Sequence, residues 1–179
     1  SDLNQLAEDP NVAYIEPDYP IYMNELPNDP LLSNQSIFYN NINMAAAWNL
    51  MGPASSVKVA IIDSGIAISH PDLASSIWQN SAEIADNHID DDNNGFVDDT
   101  QGYNFFDNNA NVSDLNGHGS MIAGIIGATA NNNEGIAGMS WNSELMIIKI
   151  LDAKGISSIS KAILAIDYAR KNGAQIINA

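Results

Sequence analysis

Apolar residues fall along this chain in short, bounded runs whose spacing changes from one run to the next. Val57–Ile62 (VKVAII) is a β-branched stretch bounded by turn residues, and it predicts a buried strand. From His118 to about Thr129, small and apolar residues alternate (MIAGIIGATA) and predict a buried helix. Leu145–Leu151 (LMIIKIL) predicts a second buried strand. Ser158–Lys171 sets Ile159, Ile163, Ile166 and Tyr168 at helical spacing, with Arg170 and Lys171 in the last turn and Gly173 as the stop. Gln175–Ala179 (QIINA) opens a third strand. Strands alternating with helices imply βα units and a mostly parallel sheet. Upstream, Met44–Met51 (MAAAWNLM) predicts a short helix closed by Gly52 and Pro53. Residues 1–25 contain Pro10, Pro17 and Pro20, with Pro27 and Pro30 close behind. Proline removes a backbone donor and fixes φ, so this region predicts one short strand and then an extended, exposed connector.

Composition narrows the class. A chain of 179 residues that is 45% hydrophobic and 16% charged can bury a core, which excludes a disordered tail or a fibrous repeat. The longest nearly unbroken apolar stretch, Met121–Ala130, is half of the roughly 20 residues a membrane helix needs. Six Lys and Arg against 22 Asp and Glu give a net charge of −16, which argues against nucleic acid as a partner and fits a secreted or cation-binding protein. With no cysteine, neither a disulfide scaffold nor a thiolate nucleophile is available.

Two residues stand out as candidate chemistry. Asp63 ends the strand VAIID, at the carboxyl edge where parallel α/β sheets place their sites. Taken alone it also reads as a turn-forming cap, and its DSG string occurs in aspartic proteases too. His118 lies between glycines in NGHGSMIAG, at the amino end of the predicted helix. Alone it reads as a cap or a packed ring. Together on adjacent βα edges they suit proton transfer, because a buried carboxylate can fix the imidazole tautomer and stabilise the imidazolium. The order Asp then His is that of triads whose serine comes last.

The acidity is concentrated. Between Val59 and Ile148 there are 13 carboxylates and no Lys or Arg, and five of them lie in Asp90–Asp99 (DDDNNGFVDD). Asp90, Asp92 and Asn94 take positions 1, 3 and 5 of a calcium loop, Gly95 the turning position, Phe96 a carbonyl position, and Asp98 follows. Two carboxylates ~4 Å apart repel by roughly 1 kcal/mol in water and ~4 kcal/mol at an effective dielectric of 20. The cluster therefore needs either full solvation or a cation, and Ca2+ is the expected one. Gln101 stands at position 12, so this is not an EF-hand.

The strings VAIIDSGIAISHPDL, NGHGSMIAGIIGA and NNNEGIAGMSWNSELMIIKILDAKG, in this order and spacing, resemble the subtilisin-like serine proteases, especially the thermitase-like branch. The resemblance implies an α/β fold, a mostly parallel sheet with helices on both faces, truncated here before its C-terminal part. It implies Asp63 as the triad Asp and His118 as the general base, with the serine and the oxyanion-hole Asn beyond residue 179. Leu151, Gly155, Ile156 and Ser157 match the edge that binds polypeptide substrates by strand addition. Ser120 and Met121 depart from the family's usual Thr and His. LAEDPNVAYIEPDY is similar to the last strand of the inhibitory propeptide. Residues 1–25 are thus expected to be the end of an intramolecular inhibitor, processed near Tyr22–Leu26, and 26–179 the N-terminal part of the peptidase domain. A second calcium site is implied, with side chains of Asp29, Asp72 and Asn132 and carbonyls of Thr129, Glu134 and Ile136. Asp107–Asn111 resembles a third such loop. The expected protein is a secreted, calcium-stabilised serine endopeptidase made as a zymogen. The rival readings are an aspartic protease, which would need a second catalytic Asp and an all-β body, and a calcium-binding pseudoprotease without catalysis.

Overall fold

Val57–Asp63 forms β1, the strand around which the sheet is built. A computed structural model describes residues 10–12, 26–51 and 56–179. The expected strand in residues 1–25, most of the expected processing region, and the Gly52–Pro53 stop lie outside them. In β1 and Ser143–Lys149 (β3), side chains alternate between two faces, and each face is covered by a different helix. Val59, Ile61, Leu145 and Ile147 pack with Ala123, Ile122 and Ile126 of α3 (His118–Gly127). Ala60, Ile62, Met146 and Ile148 pack with Ala165, Tyr168 and Ala169 of α4 (Ile159–Lys171). The sheet is therefore apolar on both sides, as the unbroken hydrophobic runs required.

Among the described residues, four strands run parallel in the order β2-β3-β1-β4, with β2 at Gly102–Asn104 and β4 at Ile176–Asn178. Asp63 pairs with Lys149 at the carboxyl ends of the two central strands. Beyond that point the ladder stops: the amides of Ile150 and Leu151 both turn onto the Asp63 carbonyl, so β3 ends two residues earlier than its apolar run suggested. Strand β2 was not expected. It has only three residues and no periodicity, and it forms because Gly102, at φ +129°, lets the backbone come so close that a Cβ would sit 1.8 Å from the Ile147 carbonyl oxygen.

No element was expected between Pro30 and Met44. Leu32–Asn41 is a ten-residue helix, α1, followed by α2 (Met44–Leu50). The sequence LSNQSIFYNN has weak helix formers and no apolar stripe, so the helix depends on tertiary contacts rather than propensity. Leu31 donates its amide to the Gly135 carbonyl, the buried Tyr39 hydroxyl donates to the Ala137 carbonyl at 2.7 Å, and Gln35 exchanges two bonds with the Ala137 backbone. Trp48 of α2 completes this patch, edge-on to Tyr39. On α4 the isoleucines that mark the helical period, Ile159, Ile163 and Ile166, are exposed. The packed face is the smaller one, Ala165 and Ala169 beside Tyr168.

Candidate active site

The two ends of this architecture converge on one pair. Asp63 closes β1 with its carboxylate buried, and His118 opens α3, the helix packed on the face of β1 and β3. The His118 Nδ1 lies 2.8 Å from Asp63 Oδ2 and 2.9 Å from Oδ1. The Ser64 amide donates to the same Oδ1, which fixes the carboxylate's rotation. With Nδ1 held by the carboxylate, Nε2 is the nitrogen left for a reacting group, and 57% of the side chain is exposed to receive one. Such a pair can accept a proton at Nε2 while the carboxylate stabilises the resulting cation.

Three residues with buried or hydrogen-bonded charge were not singled out from the sequence. Asp114 takes hydrogen bonds from both sides of the pair: the Ser64 hydroxyl, the amides of Asn116 and Gly117, and the amide and hydroxyl of Ser120. Burial alone would raise its carboxyl, but the bonds from Ser120, Gly117 and Asn116 hold it well below the usual carboxylate range. Lys149 is the second, an ammonium buried at the end of β3 that donates to the carbonyls of Ser64 (2.6 Å) and Ser113 (2.8 Å). Its only sequence signal was a charge inside the run LMIIKIL. Glu83 is the third and belongs to the acidic loop.

The expected substrate edge lies beside this pair. Gly155, Ile156 and Ser157 form an open turn rather than a strand, with Gly155 at φ +76° and Ile156 exposed. The Asp152 carboxylate holds the amides of Lys154 and Ile156, and Asn116 Nδ2 donates to the Ala153 carbonyl. That last bond joins the turn to the loop leading into His118. Leu151 packs into the core beneath it.

In the acidic loop, side-chain oxygens of Glu83, Asp90 and Asp92 all lie within 4.8 Å of one another. Glu83 is buried and accepts the amides of Asp92 (3.0 Å) and Asp98 (3.1 Å), which explains its place in the cluster. Asp98 itself turns away: its carboxylate accepts the amides of Asn87 and His88 and faces the His88 ring. Asn94 spends its side-chain amide on Asp92 and Asp99, and its Oδ1 accepts the Phe96 amide. The Phe96 ring packs edge-on to Tyr103, Phe105 and Tyr168. Beneath the loop, burial pushes the Asp99 carboxyl up even though Tyr168, Asn94 and Asn80 donate to it.

Asp29 and Asp72, from the second expected cation set, both bond to the loop 129–136. Asp29 and Asp72 are both buried. Asp29 accepts the Asn131 and Asn132 amides, while Asp72 accepts Asn132 Nδ2 (2.8 Å) and the Ile136 amide (2.9 Å). The Thr129 amide donates to the Asp72 carbonyl, and the Glu134 amide to Asn132 Oδ1. In the third loop, Asp107 accepts Asn104 Nδ2, whose main anchor is the Asn111 carbonyl.

A parallel α/β sheet with a buried acid at the carboxyl end of a central strand, paired with an imidazole at a helix start, defines the type of site. The sequence profile of the Subtilase family matches residues 54–179, and the chain belongs to that family. It is 42% identical over 124 residues to subtilisin-like protease 1 of Plasmodium falciparum, covering 69% of this chain and 18% of that protein. It is 32% identical over 173 residues to the thermophilic serine proteinase of Bacillus sp. (strain AK1), covering 97% of this chain and 38% of that protein. The chain thus spans well under half the length of these relatives. Among solved structures, the epidermin leader peptide processing serine protease of Staphylococcus aureus shares the fold at a TM-score of 0.60, with 21% identity, over 87% of this chain and 34% of that one.

Proposed function

We propose that this chain supplies the acid and base of a serine endopeptidase triad, with Asp63 the orienting acid and His118 the general base. The observation that carries the reading is the 2.8 Å contact between His118 Nδ1 and the buried Asp63 carboxylate at the carboxyl edge of the sheet. In this reading a serine hydroxyl from sequence beyond residue 179 gives its proton to His118 Nε2 as its oxygen attacks the peptide carbonyl. Asp63 holds the other ring proton and stabilises the imidazolium, which then protonates the leaving amine. Water repeats the sequence to release the acyl group. Polypeptide substrates lie along Leu151 and Gly155–Ser157, beside the His118 loop. Residues 1–25 act as an intramolecular inhibitor that makes the protein a zymogen, and the protein is secreted, as its acidity and family suggest.

Glu83, Asp90 and Asp92 fit a hard cation: the donors are all oxygen, they crowd within 4.8 Å, and no Lys or Arg occurs between Val59 and Ile148 to neutralise them. Bound Ca2+ would supply charge neutralisation and loop order there, and the Asp29, Asp72 and Asn132 set would hold a second ion. The test is His118→Ala in the full-length protein, assayed on casein with calcium present. Loss of kcat on the order of 10⁶ is expected, a magnitude that is subtilisin's own rather than one worked from this structure. Retained proteolysis would overturn the assignment and leave the family's fold serving another role.

A further inference from the structure

One carboxylate fastens the loop carrying His118 to the strand end carrying Asp63. Asp114 Oδ1 accepts the Ser64 hydroxyl at 2.9 Å and the amides of Asn116 and Gly117 at 2.9 and 2.8 Å. Its Oδ2 accepts the Ser120 amide at 3.0 Å and hydroxyl at 2.6 Å. Both hydroxyl oxygens then accept an amide from the opposite segment, Ser64 from Gly119 at 3.0 Å and Ser120 from Ala67 at 2.9 Å. Ser64 follows Asp63 and Ser120 lies two residues past His118, so the two serines stitch residues 63–67 to 117–120 with Asp114 as the hub.

Charge adds a second effect. His118 is the first residue of α3, whose N-cap, Gly117, offers no side-chain cap. The positive end of a helix disfavours an imidazolium. Lys149 from β3 adds a buried positive charge on the Ser64 and Ser113 carbonyls. Against these stand Asp63 from β1 and Asp114. Asp152, in the β3–α4 loop, is turned onto its own loop's amides.

We propose that Asp114 is a positioning residue for the Asp63–His118 pair: through Ser64 and Ser120 it sets their separation, and its charge offsets the amino end of α3. The proposal rests on the endopeptidase reading above. A general base must become a cation in the transition state, so loss of the Asp114 charge lowers the basicity of His118, and loss of the bonds lets the ring drift.

The test is Asp114→Asn in the full-length protein with a peptide substrate. A ring displaced by a fraction of an ångström lowers kcat roughly 10–100-fold with KM little changed. Because a less stable imidazolium has a lower pKa, the acid limb of kcat/KM moves to lower pH. In a His118→Ala background, Asp114→Asn brings no further loss, since it acts through that ring. Ser64→Ala and Ser120→Ala each cut one link and keep the charge. They lower kcat by a smaller factor without moving the acid limb, and they decide the matter if Asp114→Asn does not fold. Single variants that melt earlier but keep wild-type kcat and acid limb would make the Asp114 hub purely structural and overturn the proposal. Retained activity in His118→Ala alone would instead overturn the endopeptidase reading.

Discussion

Gly119→Ala tests whether the separation of strand and helix governs the site. Gly119 follows His118 on α3, and a Cβ there would lie 2.2 Å from the Gly65 carbonyl oxygen and 3.2 Å from Asp63 Cβ. The nearest obstacle is backbone and cannot swing aside. Relieving a 2.2 Å contact moves α3 away from the β1 end by about 1 Å, the ordinary carbon–oxygen separation being larger by that amount. The 2.8 Å bond between His118 and Asp63 cannot survive such a shift. Overpacking of about 1–3 kcal/mol is partly offset by the roughly 1 kcal/mol that Ala gains over Gly in a helix. The loss of activity should therefore exceed the loss of stability: misplacement of a catalytic group by about 1 Å lowers the rate on the order of 10²-fold. The comparison is Gly124→Ala on the same helix, where the added carbon meets only the flexible Ile136 Cδ1 at 3.4 Å. Thermal melts and kcat on a peptide substrate would be measured for both in the full-length protein. A Gly119→Ala enzyme with wild-type kcat would refute the argument, and so would a Gly124→Ala enzyme equally impaired.

Chelation should lower the melting temperature of the wild-type protein more than that of an Asp90→Ala/Asp92→Ala variant, because an ion at 100 times its Kd stabilises the native state by about 2.7 kcal/mol; equal losses would remove this loop from the calcium account. Lys149→Met should destabilise the fold in urea by about 1–3 kcal/mol for each buried carbonyl left without its donor, mostly at Ser64, and an unchanged midpoint would contradict that. Asp114 has a depressed carboxyl in the folded state, so its contribution is complete above the ordinary value of about 4 and is lost as pH falls below it. The stability gap between wild type and Asp114→Asn should thus narrow as a denaturation series is taken below about pH 4, and a gap independent of pH would count against the hydrogen-bond network.

What could be read beforehand was what local strings encode. Asp63 and His118 each sit in a short signature, a strand end followed by Ser-Gly and a glycine-flanked ring at a helix start, so their places at the end of β1 and the start of α3 needed no knowledge of distant contacts. The central strands were legible because burial on both faces leaves a continuous apolar run. Features that depend on a partner were not legible. Helix α1 draws its stability from Gly135 and Ala137, about a hundred residues away in a sequence of weak helix formers. Glu83 joins the acidic loop only because the fold turns its carboxylate onto the amides of Asp92 and Asp98. Asp98 shows the converse. Its position in the loop suggested a ligand, and the fold, with its backbone at φ +57°, turns its carboxylate onto the Asn87 and His88 amides. Spacing along a chain fixes which carboxylates are neighbours in sequence, while the left-handed turns between them decide which way each points. A cation drawn to the loop would compete with those amides for the same lone pairs. The ligand set is therefore settled by the strength of each carboxylate's existing bonds as much as by its place in the motif. Asp90 accepts two amides of its own loop, against the three donors held by Asp92, so its oxygens keep more capacity for a cation, and its removal should weaken binding more than that of Asp92.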